Sequence, residues 1–213
     1  MEIYRKIFSP IDENTYILAD DTGDCAIIDC GCYDIKESGE LESFIADKGL
    51  NPVLLLNTHC HLDHIFGNKF MLERYKLRTW CSEKEEMNRK SSRQHAMLFG
   101  ITMDMPPEPA GFLDDNEIIT FGSTELVVLP VPGHSAGSLA FYSEKNGCVF
   151  TGDALFAGSI GRTDLPGGDF ETLISSINNK LFTLPPSTVV YSGHGDETTI
   201  EREMRSNPWF NMT

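Results

Sequence analysis

The segment His59-Cys60-His61-Leu62-Asp63-His64 packs three imidazoles and a carboxylate into six residues, and two further histidines, His134 and His194, flank the pair Gly152-Asp153. Side chains of these types at such spacing are metal ligands before anything else. The seven candidates His59, His61, Asp63, His64, His134, Asp153 and His194 exceed the positions around one tetrahedral ion, so the set implies two divalent cations. Ions in a two-metal site stand about 3.5–4 Å apart and share a bridging carboxylate and a bridging water. Asp153 suits the bridge, because a carboxylate has two oxygens while an imidazole offers one nitrogen once its tautomer is fixed. Two cations offset by two carboxylates leave the site positive. A bound water then loses its proton near neutrality, its pKa falling from ~15.7 to about 7. Such a hydroxide is a nucleophile for an electrophilic carbonyl, whose developing oxyanion the metals would steady. Asp63 is placed to orient that nucleophile, and neither serine nor cysteine is needed to make one. Zinc fits the donors, and iron or manganese suits the same histidines and aspartates.

The elements that carry these groups can be read from the apolar runs before them. Val53-Leu54-Leu55-Leu56 leads to the first cluster, Leu126-Val127-Val128-Leu129 to His134, Cys148-Val149-Phe150 to Asp153 and Thr188-Val189-Val190-Tyr191 to His194. Each reads as a buried strand, so four strands are expected to end at one site. Loops at the carboxyl ends of strands converge on a crevice while the sheet holds them rigid. Strands are also expected at 3–8, 15–19 and 26–29, with a hairpin turn at 20–24. Helices are expected from Ile35 to Lys48 ahead of Gly49, from an Asp63 N-cap to about Tyr75, from Ser82 through Phe99, from Phe170 to Phe182 and after Thr198. Residues 102–111, rich in proline, read as a surface linker. Strands in both halves with helices between them predict two packed sheets flanked by helices, an α/β (α+β) chain.

Composition narrows the class further. A chain of 213 residues, 40% hydrophobic and 23% charged, is expected to fold as one domain, 1–213, with a sizeable core. The net charge of −15 argues against nucleic acid or an anionic membrane surface as partner, leaving a small molecule. The opening Met1-Glu2-Ile3-Tyr4-Arg5-Lys6 has no apolar leader, and no run approaches a membrane span, so a cytoplasmic location is expected. The six cysteines form no framework of a small secreted domain, and Cys30 and Cys32 are expected to be buried free thiols. Cys60, between two ligands on an extended segment, should face away from them. His95 stands apart from the pattern in a polar helix and is expected to have a surface or packing role.

The segments Thr58-His59-Cys60-His61-Leu62-Asp63-His64, Pro132-Gly133-His134-Ser135-Ala136-Gly137-Ser138, Thr151-Gly152-Asp153-Ala154-Leu155-Phe156 and Ser192-Gly193-His194-Gly195 together resemble the successive motifs of the metallo-β-lactamase fold superfamily. Within it they most resemble the glyoxalase II-like hydrolases, in the short form without the C-terminal helical domain. The resemblance implies a four-layer αββα sandwich. It also implies that His59, His61 and His134 hold one metal, that Asp63, His64 and His194 hold the other, and that Asp153 holds both. The activity implied is hydrolysis of a hydroxyacylglutathione-type thioester.

The loop 158–169 follows Asp153 where glyoxalase II places a basic substrate-binding residue. Arg162 corresponds to it and could take a substrate carboxylate, or instead pair with Asp164 or Asp169 to hold the loop. The segment Met87 to Met105 could wall the substrate pocket, although core packing is expected for most of its apolar side chains. Two other reactions fit the same motifs: an iron-dependent persulfide dioxygenase of this fold, whose relatives share a stretch like Gly161-Arg162-Thr163-Asp164, and a hydrolase of another ester or a lactam. A binding domain that uses metal only for stability is the non-catalytic alternative.

Overall fold

The computed structural model describes residues 1–210. The chain divides into two compact units, Met1–Leu113 with Thr120–Thr124, and Asp114–Ile119 with Glu125–Thr213.

The first unit is built on a six-stranded sheet. Strands β1 (Glu2–Phe8), β2 (Glu13–Ala19) and β3 (Asp24–Ile28) run antiparallel, with Glu2 opposite Ala19 and Ala19 opposite Cys25. Helix α1 (Ile35–Asp47) then crosses to β4 (Asn51–Leu56), which lies parallel to β3 with Ala26 beside Leu54. Asp34 caps α1 by accepting the Glu37 N–H at 2.9 Å, and the helix buries Leu41 and Ile45. These two join Phe8, Ile17, Ile27, Leu55 and Met71 in one apolar cluster behind the sheet. After β4 come α2 (Leu62–Ile65), α3 (Asn68–Tyr75), β5 (Thr79–Cys81), α4 (Glu86–Leu98) and β6 (Gly111–Phe112). The sheet order is β1-β2-β3-β4-β5-β6. The three residues of β5 are too few to leave a periodic signature in the sequence.

Two sequence expectations fail in this unit, for identifiable reasons. The helix expected from an Asp63 N-cap to about Tyr75 is two helices, and its N-cap is His61, with Asp63 inside the first turn. The break falls at Gly67, whose N–H leaves the helical ladder to donate to Cys30 O at 2.8 Å. A Cβ at Gly67 would lie 2.4 Å from Cys30 Sγ, so the close approach requires glycine. The apolar tail of α4 is likewise not core: Met97, Leu98 and Phe99 are 71%, 81% and 71% exposed. The buried stripe of that helix is Asn88, Arg89, Ser92 and Ala96, at helical spacing, and Arg89 is anchored by donating to Pro106 O at 3.1 Å. Once that polar stripe faces inward, the helical period turns Met97 and Leu98 to solvent. Only Met103 of the neighbouring segment packs on the small cluster of Cys60, Ile65 and Cys81.

The second six-stranded sheet has the order β14-β13-β10-β9-β8-β7. In chain order its strands are β7 (Ile118–Phe121), β8 (Thr124–Pro130), β9 (Leu139–Ser143) and β10 (Cys148–Gly152), followed by a small hairpin of β11 (Leu155–Phe156) and β12 (Ser159–Ile160). Helix α5 (Phe170–Ser176), capped by Asp169, continues as a π-helical turn to Leu181, so the helix expected to Phe182 is present in this form. Strands β13 (Val189–Ser192) and β14 (Thr198–Thr199) and helix α6 (Ile200–Ser206) complete the unit. Strands β10 and β13 run parallel, Cys148 beside Val189, with a register irregularity between Phe150 and Gly152. That irregularity falls just before Asp153, a position where bulges re-aim side chains. The core gathers Val131, Val149, Leu155, Leu173, Ile177, Val190 and Ile200. No helix among the described residues is long and apolar enough to cross a membrane.

Leu41 is fully buried in the first cluster. We expect Leu41→Ala to lower the unfolding free energy by about 2–5 kcal/mol, read as a reduced urea midpoint at unchanged m-value.

Candidate metal centre

His59, His134, Asp153 and His194 each follow the carboxyl end of a strand, while Asp63 and His64 lie in α2, beyond β4. In the first unit Asn57, Thr58 and His59 follow β4, and β3 is followed by Asp29, a buried residue in the left-handed region with φ 51°. The Asp29 carboxylate organises this cluster. Its Oδ1 accepts the Thr58 N–H at 2.7 Å, and its Oδ2 accepts the Thr58 hydroxyl at 2.6 Å and faces His64 Nδ1 at 3.0 Å. With a carboxylate as partner, His64 Nδ1 carries the proton and Nε2 keeps its lone pair. The same logic reaches His59. Because the Thr58 hydroxyl gives its proton to Asp29, it receives one from His59 Nδ1 at 3.0 Å, leaving Nε2 of that ring basic as well.

The rings are close: the His59 centroid lies 4.7 Å from that of His61 and 4.1 Å from that of His64. Asp63 Oδ2 lies 3.4 Å from His64 Nε2. Asn57 braces the turn by donating to His64 O at 2.9 Å while its own oxygen accepts from Asn68 and Thr79. Ligand-competent atoms of Asp29, His59 and His64 lie within 4.8 Å of one another, but the Asp29 oxygens already serve Thr58 and His64. Asp29 therefore orients the imidazoles, as an outer carboxylate does in metal sites.

Two buried carboxylates stand behind these residues. Glu85 Oε2 accepts the Cys60 N–H at 2.8 Å, tying down the segment between His59 and His61. Glu13 is fully buried, accepts from Thr15 and lies 4.0 Å from His64 Nδ1; burial pushes its carboxyl well up, opposed by His64. Cys60 faces away, as its alternation with the ligands requires. A hydrogen bond with Cys81 and burial hold its thiol well above the usual range.

In the second unit His134 follows β8, Asp153 follows β10 and His194 follows β13. His134 Nδ1 lies 2.8 Å from Arg162 O, and since a carbonyl only accepts, this nitrogen too is the protonated one. Asp153 Oδ2 lies 3.6 Å from His134 Nε2 and 3.6 Å from His194 Nε2, between the two imidazoles. Gly161 makes the packing possible: a Cβ there would stand 1.8 Å from Asp153 O and 2.9 Å from His134 Nδ1. The Arg162 side chain is exposed and forms a bidentate pair with Asp164, with both contacts at 2.7 Å. Of the two aspartates expected as partners for a loop-holding arginine, the contact is with Asp164.

The structure thus brings His59, His61, Asp63 and His64 together in one unit and His134, Asp153 and His194 together in the other. Sequence reasoning passed over Asp29, Thr58 and the Arg162 carbonyl. Asp29 had a detectable signal, since it ends an apolar strand as the ligands do. The donor chemistry fits divalent metal: imidazoles whose Nδ1 is turned to Thr58, Asp29 or the Arg162 carbonyl present Nε2 beside carboxylates, a ligand set of zinc or iron.

The sequence profile described as the metallo-beta-lactamase superfamily matches residues 9–194. The chain is 38% identical over 201 residues to the hydroxyacylglutathione hydrolase GloC of Haemophilus influenzae, covering 93% of each protein. The crystal structure of BLEG-1 B3 metallo-beta-lactamase superposes with a TM-score of 0.89 at 34% identity, covering 99% of this chain and 100% of that one. The structure of TTHA1623 in a di-iron-bound form gives 0.87 at 35% identity, covering 97% and 99%. The metallo-β-lactamase fold expected from the motifs is the fold of this chain. With that match and the imidazoles and carboxylates gathered at the strand ends, the chain belongs to the metallo-beta-lactamase superfamily and is a metal-dependent hydrolase.

Proposed function

We propose that the two groups of ligands close into one binuclear centre within a single hydrolase domain, and that this centre cleaves a thioester of the hydroxyacylglutathione type. The observation that carries the reading is Asp153 Oδ2 at equal distance from His134 Nε2 and His194 Nε2, the placement a shared ligand needs. In this reading His59, His61 and His134 hold one ion, Asp63, His64 and His194 the second, and Asp153 both. Two divalent cations, zinc or iron, supply when bound a water of lowered pKa and a Lewis acid for the carbonyl. The likeness to a di-iron-bound structure supports two metals, and the likeness to GloC supports the thioester.

The protein's own groups do the positioning. Asp29 and Thr58 hold His64 and His59 in the tautomer that presents Nε2, and the Arg162 carbonyl does the same for His134. Asp63, buried beside His64, is the group that orients the nucleophile. The Arg162 guanidinium, with its planar fork, matches a substrate carboxylate when its pair with Asp164 opens. That pair lies in solvent, where such bridges contribute little, so exchanging one carboxylate for another costs little. The six cysteines are all free and buried, in keeping with the cytoplasm as the compartment. A second reading, lactam hydrolysis, is favoured by the likeness to BLEG-1.

Elemental analysis of protein purified without added metal should give two ions per chain, and a panel of hydroxyacyl-glutathione thioesters should be hydrolysed faster than lactams. Turnover of lactams alone would replace the first reading with the second, and oxygen uptake with a glutathione persulfide would replace both. We expect Asp153→Ala to lose at least one ion and nearly all turnover; wild-type metal content in that variant would remove the bridging role. Arg162→Ala should retain its metals and raise KM for an anionic thioester. Unchanged KM would leave Arg162 as a loop-holding residue.

A further inference from the structure

The hairpin of β11 and β12 touches every candidate ligand of the second unit. Arg162 O, just after β12, holds His134 Nδ1; the Gly161 backbone lies against Asp153 O; and the Phe156 ring stands with its centroid 6.4 Å from that of His194. Two strands of two residues each are too short to hold such a geometry alone. What fixes them comes from α6 and its end. Glu203 is fully buried, and its Oε2 accepts the Gly158 N–H at the hairpin turn at 2.8 Å and the Asn207 amide at 2.8 Å. Its Oε1 accepts the Thr198 hydroxyl at 2.6 Å, four residues beyond His194. The buried Asn207 amide also donates to Ser159 O at 3.0 Å, on the other side of the same turn.

A buried carboxylate is tolerated only where donors replace its water, and here all three are neutral. An apolar side chain there would leave the Gly158 N–H, the Asn207 amide and the Thr198 hydroxyl without this acceptor. What the carboxylate provides is directional: one group that binds both the hairpin and the segment leaving His194. We propose that Glu203 is a positioning residue of the metal centre, fixing the β11–β12 hairpin and through it the orientation of His134, Asp153 and His194. The proposal rests on the reading of those three as ligands.

The test uses the full-length protein loaded with zinc. Glu203→Gln keeps the shape but turns an NH2 toward at least one of the three donors. This variant should keep the wild-type far-ultraviolet circular dichroism and release zinc to a competing chelator roughly 10- to 100-fold more readily. Its kcat for the thioester should fall with KM nearly unchanged, and the Nδ1–H proton resonance of His134 should move. Should Glu203→Gln fail to fold, Asn207→Ser, which loses the amide shared by Glu203 and Ser159, should show the same zinc release to a lesser degree. Folded Glu203→Gln with wild-type zinc retention, or zinc loss only in proportion to unfolded protein in both variants, overturns the proposal. Wild-type protein that binds no zinc or iron overturns the ligand reading itself, whereas two bound ions in wild type and variant alike remove only the role of Glu203.

Discussion

An imidazole serves a cation only when it is neutral and when the nitrogen facing the cation is the one without a proton. Much of the polar interior of this protein enforces that condition. Each unit solves it with a different acceptor. In the first unit a carboxylate, Asp29, takes the proton side of His64 directly and that of His59 through the Thr58 hydroxyl. In the second unit a backbone carbonyl, that of Arg162, takes the proton side of His134. The first acceptor is charged and the second is neutral, so the two units orient their imidazoles by hydrogen bonds of different strength.

The same requirement explains why so many carboxylates are buried in so acidic a chain. Glu85 and Glu203 are fully enclosed, and each accepts a backbone N–H from a segment bearing or touching candidate ligands. An N–H pointing into the interior must be satisfied, and a carboxylate satisfies it more strongly than a neutral acceptor. Loops that would otherwise be the softest parts of the fold are thereby fixed to the helices beside them, at Glu85 just ahead of α4 and at Glu203 within α6.

Much of this could be read from residues alone, because the ligands and their strands obey strong rules. An apolar run such as Val149-Phe150 has to be buried, and an aspartate following it at the strand end has to be accounted for by chemistry. The places where reading failed share a cause: a tertiary contact overrode a local pattern. Nothing near Gly67 announces that its N–H will go to Cys30, 37 residues earlier, and break a helix. The apolar run Met97-Leu98-Phe99 looked like core, but Arg89 reaching Pro106 decided which face of α4 turns inward. Arg162 drew attention for its charge, while the contribution its placement makes to His134 comes from its carbonyl, an atom every residue carries. Backbone acceptors are invisible to any argument from residue type.

The φ of 51° at Asp29 has a consequence of its own. A non-glycine residue in that conformation gives up stability on the order of 1 kcal/mol, less for aspartate than for most. Glycine or asparagine would relax the backbone there, but neither offers the charged oxygen that Thr58 and His64 use. The exchange would lose more than it relaxes, because each buried donor left without its acceptor costs about 1–3 kcal/mol. The strained backbone at this strand end is therefore held in place by its own side chain, which serves at once the satisfaction of the interior and the aim of two imidazoles.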